Sequence, residues 1–226
     1  MPISPDRYNS QEYWQGRKTE FADNAGYSFY RPVWLNCNRG SLPSPECLEV
    51  LPEHWRERAR QLINKLGAAN WKILELGCGP GQMVHRLRQQ GQEAYGLDVS
   101  QWALDWGIQV FQGLDPDFGH MVEAPADISP FLVCQDATAT PWPWAKNYFN
   151  CVFSLDFLEC LEEAAVPAVV TEIGRVLHPA GWTYHLIRCS PPADFYLTKP
   201  IEWWASLNWP KNTILVRYED GYEVLV

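Results

Sequence analysis

The chain has 226 residues, 46% of them hydrophobic and 20% charged, a globular composition sized for one elaborated domain or two small ones. Its 18 Lys and Arg against 27 Asp and Glu leave a net charge of −9, which excludes the electrostatic footprint of a general nucleic-acid binder. Residues 1–70 hold 9 basic and 8 acidic side chains and residues 71–226 hold 9 and 19, so the acid excess lies almost wholly after residue 70. No run reaches the 18 or more apolar residues of a membrane-spanning helix, and the start shows no basic stretch leading into an apolar segment, so neither a membrane partner nor a secretory leader is expected. The 7 cysteines are odd in number and form no CxxC pair; reduced thiols, a cytoplasmic setting and no bound metal are the expectation.

In chain order, Asn9 or Ser10 could cap a short helix through Tyr13 and Trp14. Residues 53–66 carry one apolar stripe, with Trp55, Ala59, Leu62, Ile63 and Leu66 at helical spacing and Gly67 as the stop. From residue 71 the rhythm alternates. Trp71–Leu76 reads as a strand, Gln82–Gln90 as a helix, Glu93–Leu97 as a strand, and Ser100 caps a helix whose Ala103, Trp106, Gly107, Val110 and Phe111 share a face. Residues 113–130 read as a long loop. Phe131–Cys134 and Cys151–Leu155 follow as strands, Pro167–Leu177 as a helix ended by His178-Pro179-Ala180-Gly181, and Trp182–Ile187 as a fifth strand. Ile201–Leu207 reads as helical, and Thr213–Tyr218 with Tyr222–Val226 as a hairpin about an Asp-Gly turn. Such alternation predicts parallel strands joined by crossovers.

The most informative stretch is Ile73-Leu74-Glu75-Leu76-Gly77-Cys78-Gly79-Pro80-Gly81. An apolar strand delivers three glycines to a helix N-terminus, where a ligand can approach the backbone. A dinucleotide fingerprint would need glycine at Gln82, so a nicotinamide enzyme is disfavoured. A tight turn with no ligand is the competing structural role. Asp98 ends the next strand, where an acid in a doubly wound sheet binds ribose hydroxyls.

With these residues the segment resembles a class I S-adenosylmethionine-dependent methyltransferase with the E-x-G-x-G-x-G loop. Four more stretches carry the likeness, namely Cys134-Gln135-Asp136-Ala137, Thr140-Pro141-Trp142-Pro143 with Tyr148-Phe149-Asn150-Cys151-Val152, Ser154 to Leu161, and Glu172 to Gly181. Together they cover residues 71–187. Asn150 stands where the family usually has aspartate, Cys160 where many members have histidine, and Ala180 where glycine is common. The resemblance implies a seven-stranded, doubly wound, Rossmann-like, mostly parallel α/β sheet with helices on both faces and an antiparallel last strand. Residues 71–226 would form the cofactor domain and residues 1–70 an appended lid or substrate wall.

The resemblance also implies roles. Gly77, Gly79 and Gly81 would cradle the methionine portion of S-adenosylmethionine, with Glu75 at its ammonium. Asp98 would take both ribose hydroxyls, Val99 would pack on the adenine, and Asp136 with Ala137 would meet its amino edge. Leu155 and Asp156 would line the mouth near the methionine and the acceptor, and Tyr13 and Trp14 would close over it. His185, ahead of Tyr184 and His85, is the candidate base, against the competing reading of a neutral histidine filling the interior. His178 is read as a helix-terminal structural residue, and the competing reading of His85 is an exposed helix position. The acceptor is expected to be a small or medium-sized molecule, with a peptide or protein open and nucleic acid disfavoured. The alternative function is a non-catalytic module that binds S-adenosylmethionine or S-adenosylhomocysteine.

Overall fold

The computed structural model describes residues 71–116, 122, 124–188, 197–218 and 222–225. The expectations for residues 53–66 and for Tyr13 and Trp14 lie outside them. Seven strands form one sheet: β1 (Lys72–Leu76), β2 (Glu93–Asp98), β3 (Leu132–Cys134), β4 (Phe149–Leu155), β5 (Leu177–Arg188), β6 (Thr213–Tyr218) and β7 (Tyr222–Leu225), in the order β3-β2-β1-β4-β5-β6-β7. The first six run parallel, and β7 pairs antiparallel with β6 at the outer edge. The order reverses between β1 and β4. That switch point, at the carboxyl ends of the strands, is where open α/β sheets bind ligands.

Helices cover both faces. On one, α1 (Gln82–Gln89) and α2 (Gln101–Phe111) bring Met83, Val84, Leu87 and Leu104 onto Ile73, Ala94, Phe153, Tyr184 and Leu186. On the other, α3 (Val166–Val176) lays Val169, Val170, Ile173 and Val176 on Leu74, Leu76, Val152 and Leu215. The short α4 (Ile201–Ala205) adds Ile201 and Trp204 to that layer. Trp204 is wholly buried while its neighbour Trp203 is only half-buried, as the 100° step between adjacent helical residues requires.

Between β3 and β4 the chain crosses under β2 and β1 with no helix. Parallel crossovers normally carry one. Residues 135–148 fill the layer with rings instead. Trp142 is buried, and Trp144 and Tyr148 pack edge-on against Phe149 with centroids 5.1 and 5.0 Å away. Two of the chain's 12 tryptophans, Trp142 and Trp144, thus substitute for a helix face.

Two boundaries differ from expectation. His178-Pro179-Ala180-Gly181 does not form a separate turn: β5 begins at Leu177 and bulges through it, since Phe149 faces Leu177 while Cys151 already faces Trp182. A bulge is where a strand tolerates proline, and His178 Nδ1 accepts the Ala180 amide at 3.1 Å within it. The helix expected to reach Leu207 ends at Ala205.

Candidate active site

At the carboxyl end of β1 the chain turns through Gly77, Gly79 and Gly81 at φ of 68, 51 and 76°, left-handed values that favour glycine. The turn is stitched to β2: the Gly77 and Cys78 amides both donate to Leu97 O, at 2.8 and 3.2 Å. The Gly79 amide donates to Asp98 Oδ2 at 2.7 Å and the Ser100 amide to Asp98 Oδ1 at 2.8 Å. Ser100 Oγ in turn caps α2 by accepting the Ala103 amide. The three loop amides are therefore spent inside the protein, with Gly81 N on Cys78 O. What the loop offers a ligand is its open backbone surface rather than free donors.

Glu75 lies on β1 in register with Gly96 of β2 and Phe153 of β4. Its side chain is only 3% exposed, and among the described residues Oε2 has no hydrogen-bond partner. Burial, and then the nearby Asp98 carboxylate, push its pKa well above the ordinary carboxyl value. Burial also raises Asp98, against the opposing pull of the Ser100, Gly79 and Val99 amides. A buried acceptor without a donor, beside a backbone cradle, fits a ligand that brings a cationic donor.

The other implied contacts are placed by the same strand ends. The Gln135 amide donates to Asp98 O at 2.9 Å, tying the β3 exit to the β2 exit. Asp136 Oδ1 accepts the Thr138 amide and hydroxyl, both at 2.8 Å. Ala137 is buried, and its carbonyl accepts Trp142 Nε1 at 2.9 Å. The Trp142 amide then donates to Glu172 Oε1 at 2.7 Å, and Arg175 closes the knot onto Glu172 and Trp142 O. Burial pushes the Glu172 carboxyl up, but the Arg175 hydrogen bonds and the Trp142 amide outweigh it and hold it below its ordinary value. Val99 is half-buried, with its carbonyl 3.6 Å from Cys134 Sγ. Leu155 is buried at the end of β4, and Asp156 follows at φ 49°, its amide on Leu186 O. Glu75, the glycine loop, Asp98, Val99, Asp136, Ala137, Leu155 and Asp156 thus share one edge of the sheet. Tyr13 and Trp14 lie outside the described residues.

The histidines are different. His185 is fully buried on β5, with Nδ1 2.8 Å from Ser154 Oγ and Nε2 2.7 Å from Thr183 Oγ1. Its ring lies on Trp209 at 4.8 Å, and burial lowers its pKa to about 3. Both nitrogens are engaged, so this geometry suits an interior residue and not a base that meets an acceptor. Tyr184 is buried among the apolar residues of the opposite face. His85 is not exposed: it is buried, stacked on Phe111 at 4.5 Å, with Nε2 3.1 Å from Ala124 O. Asn150, where the family usually has aspartate, accepts the Lys72 amide on Oδ1 at 3.0 Å. Cys160 sits with Sγ 3.6 Å from Asp156 O.

Two site neighbours had no role assigned from the sequence. The Phe157 ring packs on Gly77, and α2 packs through Gly107 on the Pro80 backbone. An interior helical glycine was the visible signal for the second. No local signal marks the first. Among the described residues no cluster of His, Cys, Asp and Glu could hold a metal ion, and no helix is long and apolar enough to cross a membrane.

Residues 74–185 match the family described as "Methyltransferase domain". The chain is 25% identical over 164 residues to a ubiquinone biosynthesis O-methyltransferase of Thiobacillus denitrificans, covering 72% of this chain and 61% of that protein. It is 29% identical over 127 residues to the biotin biosynthesis bifunctional protein of Cellvibrio japonicus, covering 55% of this chain and 21% of that protein. It therefore spans less than two thirds of either relative. Among solved structures, an S-adenosylmethionine-dependent methyltransferase of Methanococcus maripaludis aligns at a TM-score of 0.49 and 19% identity, over 82% of this chain and 65% of that one. With the ordered motifs of residues 74–185 and this sheet, the chain belongs to the class I S-adenosylmethionine-dependent methyltransferases.

Proposed function

We propose that the protein transfers a methyl group from S-adenosylmethionine to a small or medium-sized acceptor. The observation that carries this is the buried Glu75 carboxyl with a partnerless Oε2 beside the glycine loop. Glu75 would meet the ammonium of the methionine portion, Gly77, Gly79 and Gly81 would hold its backbone, and Asp98 would accept from the ribose hydroxyls. Val99 and Ala137 would flank the adenine, and Asp136 would accept from its amino group. Leu155 and Asp156, with Tyr13 and Trp14, would border the acceptor. S-adenosylmethionine supplies an activated sulfonium-bound methyl, so the chain's own task is to orient and to exclude water. His185 is given no role as base, since its nitrogens are held by Ser154 and Thr183. The two curated relatives, both named for the biosynthesis of small molecules, support a small acceptor. The acid excess supports one other than nucleic acid. The free thiols of Cys78, Cys134 and Cys151 support a reducing, cytoplasmic setting. Residues 71–226 would be the catalytic domain and residues 1–70 its extension.

The test is calorimetric titration of the full chain with S-adenosylhomocysteine, followed by incubation of the chain with S-adenosylmethionine and a metabolite extract. Tight binding and extract-dependent release of S-adenosylhomocysteine are expected. No binding would remove the cofactor assignment, and binding without turnover across broad extracts would favour a sensing module.

A further inference from the structure

Two residues outside the glycine loop press on its two ends. A side-chain carbon at Gly107, in the middle of α2, would lie 2.5 Å from Pro80 C and 2.7 Å from Pro80 Cα. Both are backbone atoms of the loop, and α2 meets the loop with no side chain between them. An interior helical glycine costs about 0.5–1 kcal/mol relative to alanine, so its presence here follows from the contact and not from helix preference. At the other end, a side-chain carbon on Gly77 would lie 2.7 Å from Phe157 Cγ and 2.9 Å from Phe157 Cβ. Phe157 is aimed there by Asp156, whose left-handed φ of 49° turns the chain as it leaves β4. The segment after it is held by the three-residue helical turn Leu158–Cys160 and by the Leu197 amide on Glu159 O.

We infer that Gly107 and Phe157 are positioning residues for the cofactor, acting as a two-sided clamp that sets the curvature of residues 77–81. This rests on the cofactor reading above and adds to it a cause for the loop's shape. The loop's own amides anchor it only to β2, through Leu97 O and Asp98 Oδ2. Its position relative to β4 and α2 is set by Phe157 and by the bare Gly107. Both contacts are rigid: the backbone carbonyl of Pro80 on one side, and a ring with only two side-chain torsions on the other. A displacement of the loop by about 1 Å is enough to cost binding or rate by one to two orders of magnitude.

The test titrates the full chain with S-adenosylhomocysteine and, separately, with adenosine, which lacks the amino-acid portion. Gly107→Ala and Phe157→Ala are each expected to weaken S-adenosylhomocysteine binding about tenfold or more. For Phe157→Ala the adenosine affinity should be little changed, because Gly77 faces the amino-acid portion. A general structural role would lower both affinities together, and that result overturns the assignment of Phe157. The control is Gly174→Ala on α3, where the nearest atom to an added carbon is Pro210 Cγ at 3.9 Å; it should bind as wild type. Folding is checked by circular dichroism. Should Gly107→Ala not fold, Phe157→Ala decides alone. A wild-type chain that binds and variants that bind equally overturn the clamp only, whereas a wild-type chain that binds neither probe overturns the cofactor reading and the clamp with it.

Discussion

The carboxyl edge of β1 and β2 and the interior between β4 and β5 both bury ionisable side chains, and they treat them in opposite ways. Between β4 and β5, His185 has a hydroxyl on each nitrogen and a tryptophan on its ring. At the β1 edge, Glu75 is as buried and has an oxygen with no partner, next to a second carboxylate. Burying an unpaired polar group costs about 1–3 kcal/mol, and proteins retain that cost where a ligand removes it. The satisfied histidine reads as architecture and the unsatisfied glutamate as a binding position, which decides between the two readings that the sequence left for His185.

The sharpest way to break this contrast is Asp98→Ala. The carboxylate organises the Gly79 and Ser100 amides and is the proposed ribose acceptor. Losing two proposed charge-assisted bonds to the ribose hydroxyls, about 1.5–3 kcal/mol each, should weaken S-adenosylhomocysteine binding at least about 100-fold by calorimetry. Unchanged affinity would remove the ribose assignment. Glu75→Gln comes next and should move two observables in opposite directions. Binding should weaken about tenfold or more as the charge partner of the ammonium is lost. The melting temperature of the free protein should rise at pH 7. The sign follows from the raised pKa: such a group favours the folded state below its unfolded value near 4.5 and loses that contribution as pH rises toward its folded value. A Glu75→Gln protein that binds normally would place Glu75 with His185 among the structural residues.

Ser154→Ala tests the other region. Leaving His185 Nδ1 without its hydroxyl should cost about 1–3 kcal/mol in urea denaturation and leave S-adenosylhomocysteine affinity intact. The acid limb of stability should carry the same residue. With a folded pKa of about 3 against an ordinary 6.5, neutral His185 contributes fully above pH 6.5, and the contribution is lost as pH falls toward 3. A pH–stability profile of His185→Gln should flatten in that window. The smallest effect expected is from Gly174→Ala, a gain of about 0.5–1 kcal/mol from helix preference with room for the methyl group.

Much of the sheet was legible in the sequence because its signals are local. The apolar run before Gly77, the Ser100 cap and the hairpin at the end each announce themselves within a few residues, and the family's motif order supplied the topology. The candidate site was legible as far as single positions carry it, through Glu75, the glycines and Asp98. What stayed hidden depends on partners far apart in the chain. Nothing near Phe157 reports that its ring meets Gly77, and nothing near His85 reports that Phe111 and Ala124 O enclose it. The Glu172–Arg175 pair looks like an ordinary helical ion pair in sequence, yet it holds Trp142 and through it Ala137. His178 to Gly181 reads as a turn because proline and glycine mark both turns and bulges, and only the pairing with β4 separates the two.

The helix-free crossover between β3 and β4 has a consequence for how the domain ages under acid. A helix there would secure its amides by a ladder indifferent to protonation. Residues 135–148 have only scattered backbone bonds, such as the Gln135 amide on Asp98 O, and the Trp142 amide rests on the carboxylate of Glu172. Protonating that one group in strong acid loosens Trp142, then the Ala137 carbonyl it supports, so this end of the candidate site should come apart before the sheet beneath it.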